Sequence, residues 1–315
     1  MISILGNALV PVFAGLLLGC VAGLLKTVDN RDVKSLNTFL MTFALPCSLF
    51  ITIARTPHEL LLGQIKAGVV LIIAYLAVYI PTFFIARTVG KSDIANSSVT
   101  ALTLAFPNNA AVGIPLLLAA YGTQAAVTVV VALAIGAVTV TPITLALLEG
   151  ATSTDTKLSH AAHIRIALWS AIKKPVFWAP VLGLFAAIVE FRLPAYLDKT
   201  ANILGSATEG VALFVTGLIA SAQRFTFTWP VGWAVLGKNA IQPALCLGAA
   251  ILLRMPLDET KYVVLICAIP CGFFGVLFGE SFHATPEVAS SCLVASTVFG
   301  IFTLAGWIVI LSHVH

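Results

Sequence analysis

Charge is scarce in this sequence. Lys, Arg, Asp and Glu make up 10% of its 315 residues, while 59% are hydrophobic; soluble domains carry roughly 25% charged residues. That balance predicts an integral membrane protein. The net charge of +4 is small and its basic residues are dispersed between apolar runs, which argues against nucleic acid as a partner. The six aspartates (Asp29, Asp32, Asp93, Asp155, Asp198, Asp258) all fall in loops or at the ends of apolar runs, so the paired intramembrane aspartates of sodium or proton exchangers are absent. A Gly-rich loop closed by Lys-Ser/Thr is also missing, so ATP is not expected to drive the protein directly. His58, His160, His163, His313 and His315 lie in loops or at the terminus, away from the depth where an intramembrane hydrolase would gather its catalytic groups, and nothing points to an enzyme. Cys20, Cys47, Cys246, Cys267, Cys271 and Cys292 lack metal-ligand spacing and read as small buried residues. No cofactor or metal motif is present.

What the sequence has is long apolar runs. Ten stretches approach the ~20 residues a membrane helix needs: 4–25, 36–54, 65–86, 96–119, 124–147, 174–191, 203–222, 230–253, 261–282 and 287–311. "LLGC" at 17–20 imitates a lipoprotein cleavage site, but no Lys or Arg precedes it, and the first run is expected to be a retained span. The polar segment 149–173 divides the chain into two five-span halves, 1–148 and 174–315, and reads as a cytoplasmic linker. With the N-terminus outside, ten Lys and Arg residues (Lys26, Arg31, Lys34, Arg87, Lys91, Lys157, Arg165, Lys173, Lys174, Arg224) face the cytoplasm. Six (Arg55, Lys66, Arg192, Lys199, Arg254, Lys261) face the other side. The positive-inside rule therefore predicts both termini outside. Five spans per half make the second half enter the membrane from the opposite side, so related halves would be inverted repeats.

The fourth and ninth stretches carry the signal. "LAFPNNAAVGIPLL" and "CAIPCGFFGVLFGE" share an Ala-x-Pro near mid-span, Ala105 to Pro107 and Ala268 to Pro270. Proline lacks an N–H and clashes with the carbonyl four residues back, so Pro107 should free the carbonyl of Thr103 and Pro270 that of Ile266. Such breaks survive only where protein or a water-filled cavity satisfies the backbone. The two should therefore lie inside the bundle, close together. Beyond each break a half-helix begins, and its first N–H groups and positive dipole end make an anion site at the bilayer centre. Asn108 and Asn109 can cap the half-helix or donate to a carboxylate. Cys271 and Gly272 stand at the equivalent place, Gly272 giving a ligand close access to the backbone. The plainer reading of a mid-span proline is a kink, since Pro11, Pro46, Pro81, Pro115, Pro142, Pro180 and Pro243 also lie in spans; the buried Asn pair is what favours a site.

Lys238 lies in the eighth stretch, below Trp229 and Trp233 that mark an interface, and reads either as a snorkelling lysine or as a functional cation. Asn239 and Gln242 extend its polar face. Glu209, about two turns into the seventh stretch, is either a helix-entry carboxylate or a coupling group.

"FPNNAAVGIPLLLAAYG" (106–122) resembles the fourth span of the auxin efflux carrier family, and the likeness continues through "FALPCSLF" (43–50), "GVALFVTGL" (210–218), "QPALCLGAAILLR" (242–254) and "IPCGFFGVLFGESFHATPEVASS" (269–291). The resemblance implies an all-α membrane protein of ten transmembrane helices, two inverted five-helix repeats whose broken fourth and ninth helices cross. Spans one, two, six and seven would form a dimerising scaffold, and spans three to five and eight to ten a transport domain moving elevator fashion. Pro107, Asn108 and Pro270 would line the substrate site, and Lys238 falls where plant members carry a basic residue. Asn109 replaces a Thr usual in those members, Ser48 stands one position from the serine expected in span two, and the fifth span near Val131 lacks the glutamine associated with auxin. The short central loop points to the bacterial malonate- or malate-permease-like branch. The expectation is a secondary carrier of a small carboxylate in the bacterial inner membrane, a homodimer. A cation-coupled symporter of a larger amphipathic anion, or an anion sensor without flux, stays open.

Overall fold

A computed structural model of the chain describes residues 2–28, 30–152, 173, 175–191, 193–222 and 226–313. Most of the expected linker, 153–172, lies outside the described residues; its start, Glu149 to Thr152, continues a helix. The helices, numbered along the chain, are α1 (Ile2–Leu24), α2 (Asn30–Phe39), α3 (Leu45–Ala54), α4 (His58–Gly63), α5 (Ile65–Thr88), α6 (Ile94–Ala105), α7 (Ile114–Tyr121), α8 (Thr123–Val138) and α9 (Val140–Thr152). After the linker come α10 (Pro175–Ile188), α11 (Ala195–Ala222), α12 (Trp229–Leu236), α13 (Gln242–Leu252), α14 (Leu257–Ala268), α15 (Phe274–Ser281) and α16 (Glu287–Ser312). Among the described residues there is no strand.

Among the described residues, six helical segments are long and apolar enough to cross a membrane: Val33–Ala54, Ile65–Thr88, Gln124–Ala151, Ala195–Ala222, Trp229–Leu252 and Glu287–Ser312. Shorter apolar helices accompany them, Phe13–Leu24, Ile94–Ala105, Asn109–Tyr121 and Trp178–Ile188. Their outward faces carry exposed Leu18, Phe84, Phe185, Trp229 and Phe302. Such a girdle would aggregate in water and is at home in lipid. The interior reverses the usual pattern: Ser97, Ser98, Thr103, Asn109, Lys238, Asn239, Gln242 and Ser296 are buried.

Proline shapes three of these segments in the same way. Leu40–Ala44, Asn109–Gly113 and Gly237–Ile241 are wide π-type turns, and each is followed by a residue-proline pair: Leu45-Pro46, Ile114-Pro115 and Gln242-Pro243. The residue before each proline sends its N–H to the carbonyl five back, at Leu40, Asn109 and Gly237. The extra residue in the turn accommodates the ring that would otherwise collide with the preceding turn. Two of these turns carry the polar residues singled out above, Asn109 and the Lys238–Asn239 pair.

The helices pack in two groups. In the first, α1 runs along α11, and α3 lies against α10 and α11. Here small residues bring backbones together: a Cβ on Gly19 would sit 2.0 Å from the Phe214 carbonyl oxygen, and one on Gly217 2.2 Å from that of Leu16. Close approach of this kind drives helix association in lipid, where burial of apolar surface offers no gain. In the second group α5 packs on α6 and α13, α6 on α9 and α15, α13 on α14, and α12 on α16.

The α1–α11 contact generates a test. Gly19→Ala should lower the thermal midpoint in detergent, by overpacking worth about 1–3 kcal/mol. Gly232→Ala, at a glycine with open space around it, should leave the midpoint unchanged. Equal midpoints for the two variants would remove the contact from the account of stability.

Candidate functional site

Helices α6 and α14 both stop at mid-bundle. At 12 residues each they cover about 18 Å, too little for a ~30 Å hydrocarbon core. Each ends because the residue before a proline is pushed out of the helical region: Phe106 takes φ −103°, ψ 107°, and Ile269 takes φ −59°, ψ 141°. The two extended segments then pair with each other. Pro107 faces Cys271 in a single antiparallel bridge, the Asn108 N–H donates to the Pro270 carbonyl at 3.0 Å, and the Gly272 N–H donates to the Phe106 carbonyl at 2.9 Å. Each break supplies the partner the other needs.

The remaining groups can be followed one by one. The Ala105 carbonyl accepts from Gln242 Nε2 at 2.7 Å, and that of Cys267 from Lys238 Nζ at 2.9 Å. Lys238 Nζ also donates to Gln242 Oε1, so one Lys-Gln pair, four residues apart on one face of a helix, holds the ends of both α6 and α14. The Cys271 N–H donates to Ser296 Oγ at 3.0 Å. Ile266, expected to be left with a free carbonyl, instead receives the Ile269 N–H at 3.3 Å, because the last turn of α14 tightens before it ends. Asn109 N–H reaches back to the Pro107 carbonyl at 2.8 Å. With Asn108 at φ −75°, ψ 65°, this is an inverse γ-turn.

That turn corrects the capping expectation. Asn108 makes no side-chain capping bond; its main-chain carbonyl takes the Val112 and Gly113 N–H groups at 3.1 and 3.3 Å, and the γ-turn sets the direction in which the chain enters the new helix. The Asn108 and Asn109 side chains are 5% and 0% exposed. Asn109 Nδ2 donates to Tyr75 Oη at 3.2 Å, and the Oδ1 atoms of Asn108 and Asn109 have no hydrogen-bond partner in the protein. Gly272, read as an opening for a ligand, is filled by the crossing itself: a Cβ there would lie 2.4 Å from the Phe106 carbonyl oxygen.

Lys238 does not snorkel. It is fully buried, and its ammonium meets the carbonyl end of α14, where the helix dipole is negative. Asn239 donates through Nδ2 to the Ser296 carbonyl at 3.0 Å, while its main-chain carbonyl accepts from Trp307 Nε1 at 3.0 Å. Cys271 Sγ lies 3.6 Å from Cys292 Sγ. Ser48 sits elsewhere, on α3 where a Cβ on Gly205 of α11 would come within 2.9 Å of its backbone. Glu209 is on α11, and its side chain lies outside the described residues.

Several residues that hold this centre escaped the sequence reading. Phe106 stacks on Phe274 with centroids 5.1 Å apart, and Tyr75 leans on Phe106 at 5.8 Å. Gly136 of α8 leaves space for the Phe106 ring, 2.4 Å from where its Cβ would be, and Gly300 of α16 does the same for the Pro270 ring at 2.6 Å. Each break is thus seated on a glycine of the stretch that follows it. A serine beside Thr297 in the apolar run "CLVASTVFG" was the one visible hint of Ser296.

Long apolar helices, a polar interior and two mutually paired helix breaks define a multi-pass helical membrane protein built around a central crossing. A family model described as Membrane transport protein matches residues 4–308, and the chain belongs to that membrane transport family, which includes the auxin efflux carriers. It is 27% identical to "Uncharacterized transporter YfdV" of Escherichia coli (strain K12) over 95% of each chain. It is 24% identical to the "Putative malonate transporter" of Rhizobium meliloti, covering 94% of this chain and 92% of that one, and 22% identical to "Auxin efflux carrier component 8" of Arabidopsis thaliana over 97% of each.

The brace at Gln242 can be tested directly. Gln242→Leu keeps the volume, leaves the Ala105 carbonyl unpaired and strips Lys238 of one acceptor, so it should destabilise the protein by roughly 1–3 kcal/mol, read as a lower thermal midpoint. An unchanged midpoint would mean that the brace does not hold the crossing.

Proposed function

We propose that this protein is a secondary transporter of a small organic anion, a malonate- or malate-like carboxylate, and that it carries its substrate at the crossing of the two broken helices. One observation carries the reading. Two half-helices start at the centre of the bundle, beside the buried Asn108, whose Oδ1 has no partner in the protein, in a chain whose family transports. Helix N-termini offer N–H groups and partial positive charge to a carboxylate. The relative whose printed name is that of a malonate transporter supports the substrate class.

The finer architecture belongs to the same proposal. Ten spans arranged as two inverted five-helix repeats would place the breaks at matching depths, which agrees with Gly136 and Gly300 playing the same part in successive stretches. The α1, α3, α10 and α11 group serves as the scaffold, through which two copies dimerise, and the group holding the crossing travels between the faces of the bacterial inner membrane by an elevator motion. Both termini lie outside the cytoplasm. The protein is a carrier and no chemical step is assigned to it; Ser48, Glu209 and Cys271 keep no assigned substrate contact.

Uptake of labelled malonate into proteoliposomes tests the site. Replacing Asn108 by Ala removes one hydrogen bond to a charged ligand, worth about 1.5–3 kcal/mol, and should raise KM by about 10- to 100-fold. Wild-type uptake by N108A would end the assignment.

A further inference from the structure

We infer that the species carried bears a single negative charge and also offers a hydrogen-bond donor. For a dicarboxylate this is the hydrogen form, one carboxylate and one carboxylic acid, so the proton travels on the substrate. The inference rests on the carboxylate site proposed above and specifies which ionic form that site accepts.

The first line of argument is charge. Four helix ends converge at the crossing, and each end carries about half an elementary charge. The carbonyl ends of α6 and α14 together supply about one negative charge, and they are the ends held by Gln242 and Lys238. The Lys238 ammonium cancels them. The two N-terminal ends, of the helix that starts at Asn109 and of α15, leave about one positive charge unopposed. Among the described residues Lys238 is the single buried Lys, Arg, Asp, Glu or His. A dianion would leave one charge uncompensated in a low-dielectric interior, where such a charge is strongly disfavoured.

The second line is hydrogen bonding, and it is independent of the first. Oδ1 of Asn108 and of Asn239 has no partner within the protein, and both residues are at least nine-tenths buried. The orientation of the Asn239 amide is settled by its neighbour, since the Ser296 carbonyl can only accept. A carboxylate has no proton to give these oxygens. A carboxylic acid O–H has one, and the hydrogen dicarboxylate is the form that presents an acceptor to the helix N-termini and a donor to the amides.

Both lines place the titration on the substrate. The titratable groups around the crossing are Lys238 from the turn before α13, Tyr75 from α5, Cys246 from α13, Cys267 from α14, Cys271 from the break and Cys292 from α16. None of these is a carboxylic acid.

Three probes separate the possibilities in proteoliposomes of the wild-type protein, with KM measured from about pH 5 to about pH 8: malonate, its monoamide malonamate and its monomethyl ester. Malonamate is a monoanion with a donor that does not titrate in this range, and the monoester is a monoanion without a donor. KM for total malonate should rise about tenfold per pH unit once its second carboxyl ionises, while KM for malonamate stays within about twofold. The monoester should bind at least about tenfold more weakly than malonamate at every pH. A pH-independent KM for malonate, a parallel loss of malonamate and malonate with pH, or equal affinity for the monoester and malonamate would each overturn the inference while leaving a carboxylate carrier standing. Failure of all three probes to bind or move would instead overturn the carboxylate site on which the inference rests.

Discussion

An unpaired backbone group in hydrocarbon costs several kilocalories per mole, and two interrupted helices expose many such groups at once. Here they are satisfied by bringing the interruptions face to face. Asn108 and Gly272 each give an N–H to the other strand, and neither break is tenable alone. This mutual dependence turns two weak points into one joint. Its supports come from every side: Gln242 and Lys238 on the carbonyl ends, Ser296 on the Cys271 N–H, and the Tyr75, Phe106 and Phe274 rings packed around it. A joint so braced resists hinging at the breaks, since bending there would undo bonds on both chains together. Motion that preserves those bonds carries the crossing as a body, past helices that do not share them. That is the physical case for the elevator reading.

Glycine decides how close the parts come. At Gly272 a single methyl group would meet the Phe106 carbonyl, and at Gly136 and Gly300 it would strike the Phe106 and Pro270 rings. The same device at Gly19 and Gly217 brings α1 onto α11. In water such contacts would be by-products of apolar collapse. In lipid they are the source of association, because van der Waals contact between closely fitting backbones is what protein offers that acyl chains cannot.

The breaks were legible in the sequence because proline acts on its own neighbourhood: Pro107 and Pro270 marked where α6 and α14 end, and buried asparagines beside one of them marked where polarity is needed. The apolar runs gave the helices for the same reason. What the freed groups bond to was not legible. Gln242 meets a carbonyl 137 positions away and Lys238 one 29 positions away, and no local rule foretells either. Lys238 looked equally ready to snorkel, since depth and length alone allow it; only the nearby helix end decides where its ammonium goes. Asn108 looked like a capping residue, but its own main chain does that work once the γ-turn forms. Gly300 resembles every other glycine in an apolar run until the Pro270 ring is seen against it.

The unaccompanied lysine is best understood through the direction of the field it leaves. A carboxylate beside Lys238 would satisfy the ammonium, yet the negative ends of α6 and α14 would then draw on the positive ends of their neighbours and the crossing would have no preference for an anion. With Lys238 on the carbonyl side alone, polarity becomes one-sided, and the N-terminal ends keep their attraction for a negative guest. On the proposed reading this also bears on movement. The empty crossing carries about one uncompensated positive charge, whereas the crossing loaded with a monoanion is close to neutral. Moving charge through a low-dielectric region is penalised far more than moving a neutral assembly, so the loaded unit travels more readily than the empty one. A carrier built this way ties its conformational change to the presence of substrate through electrostatics.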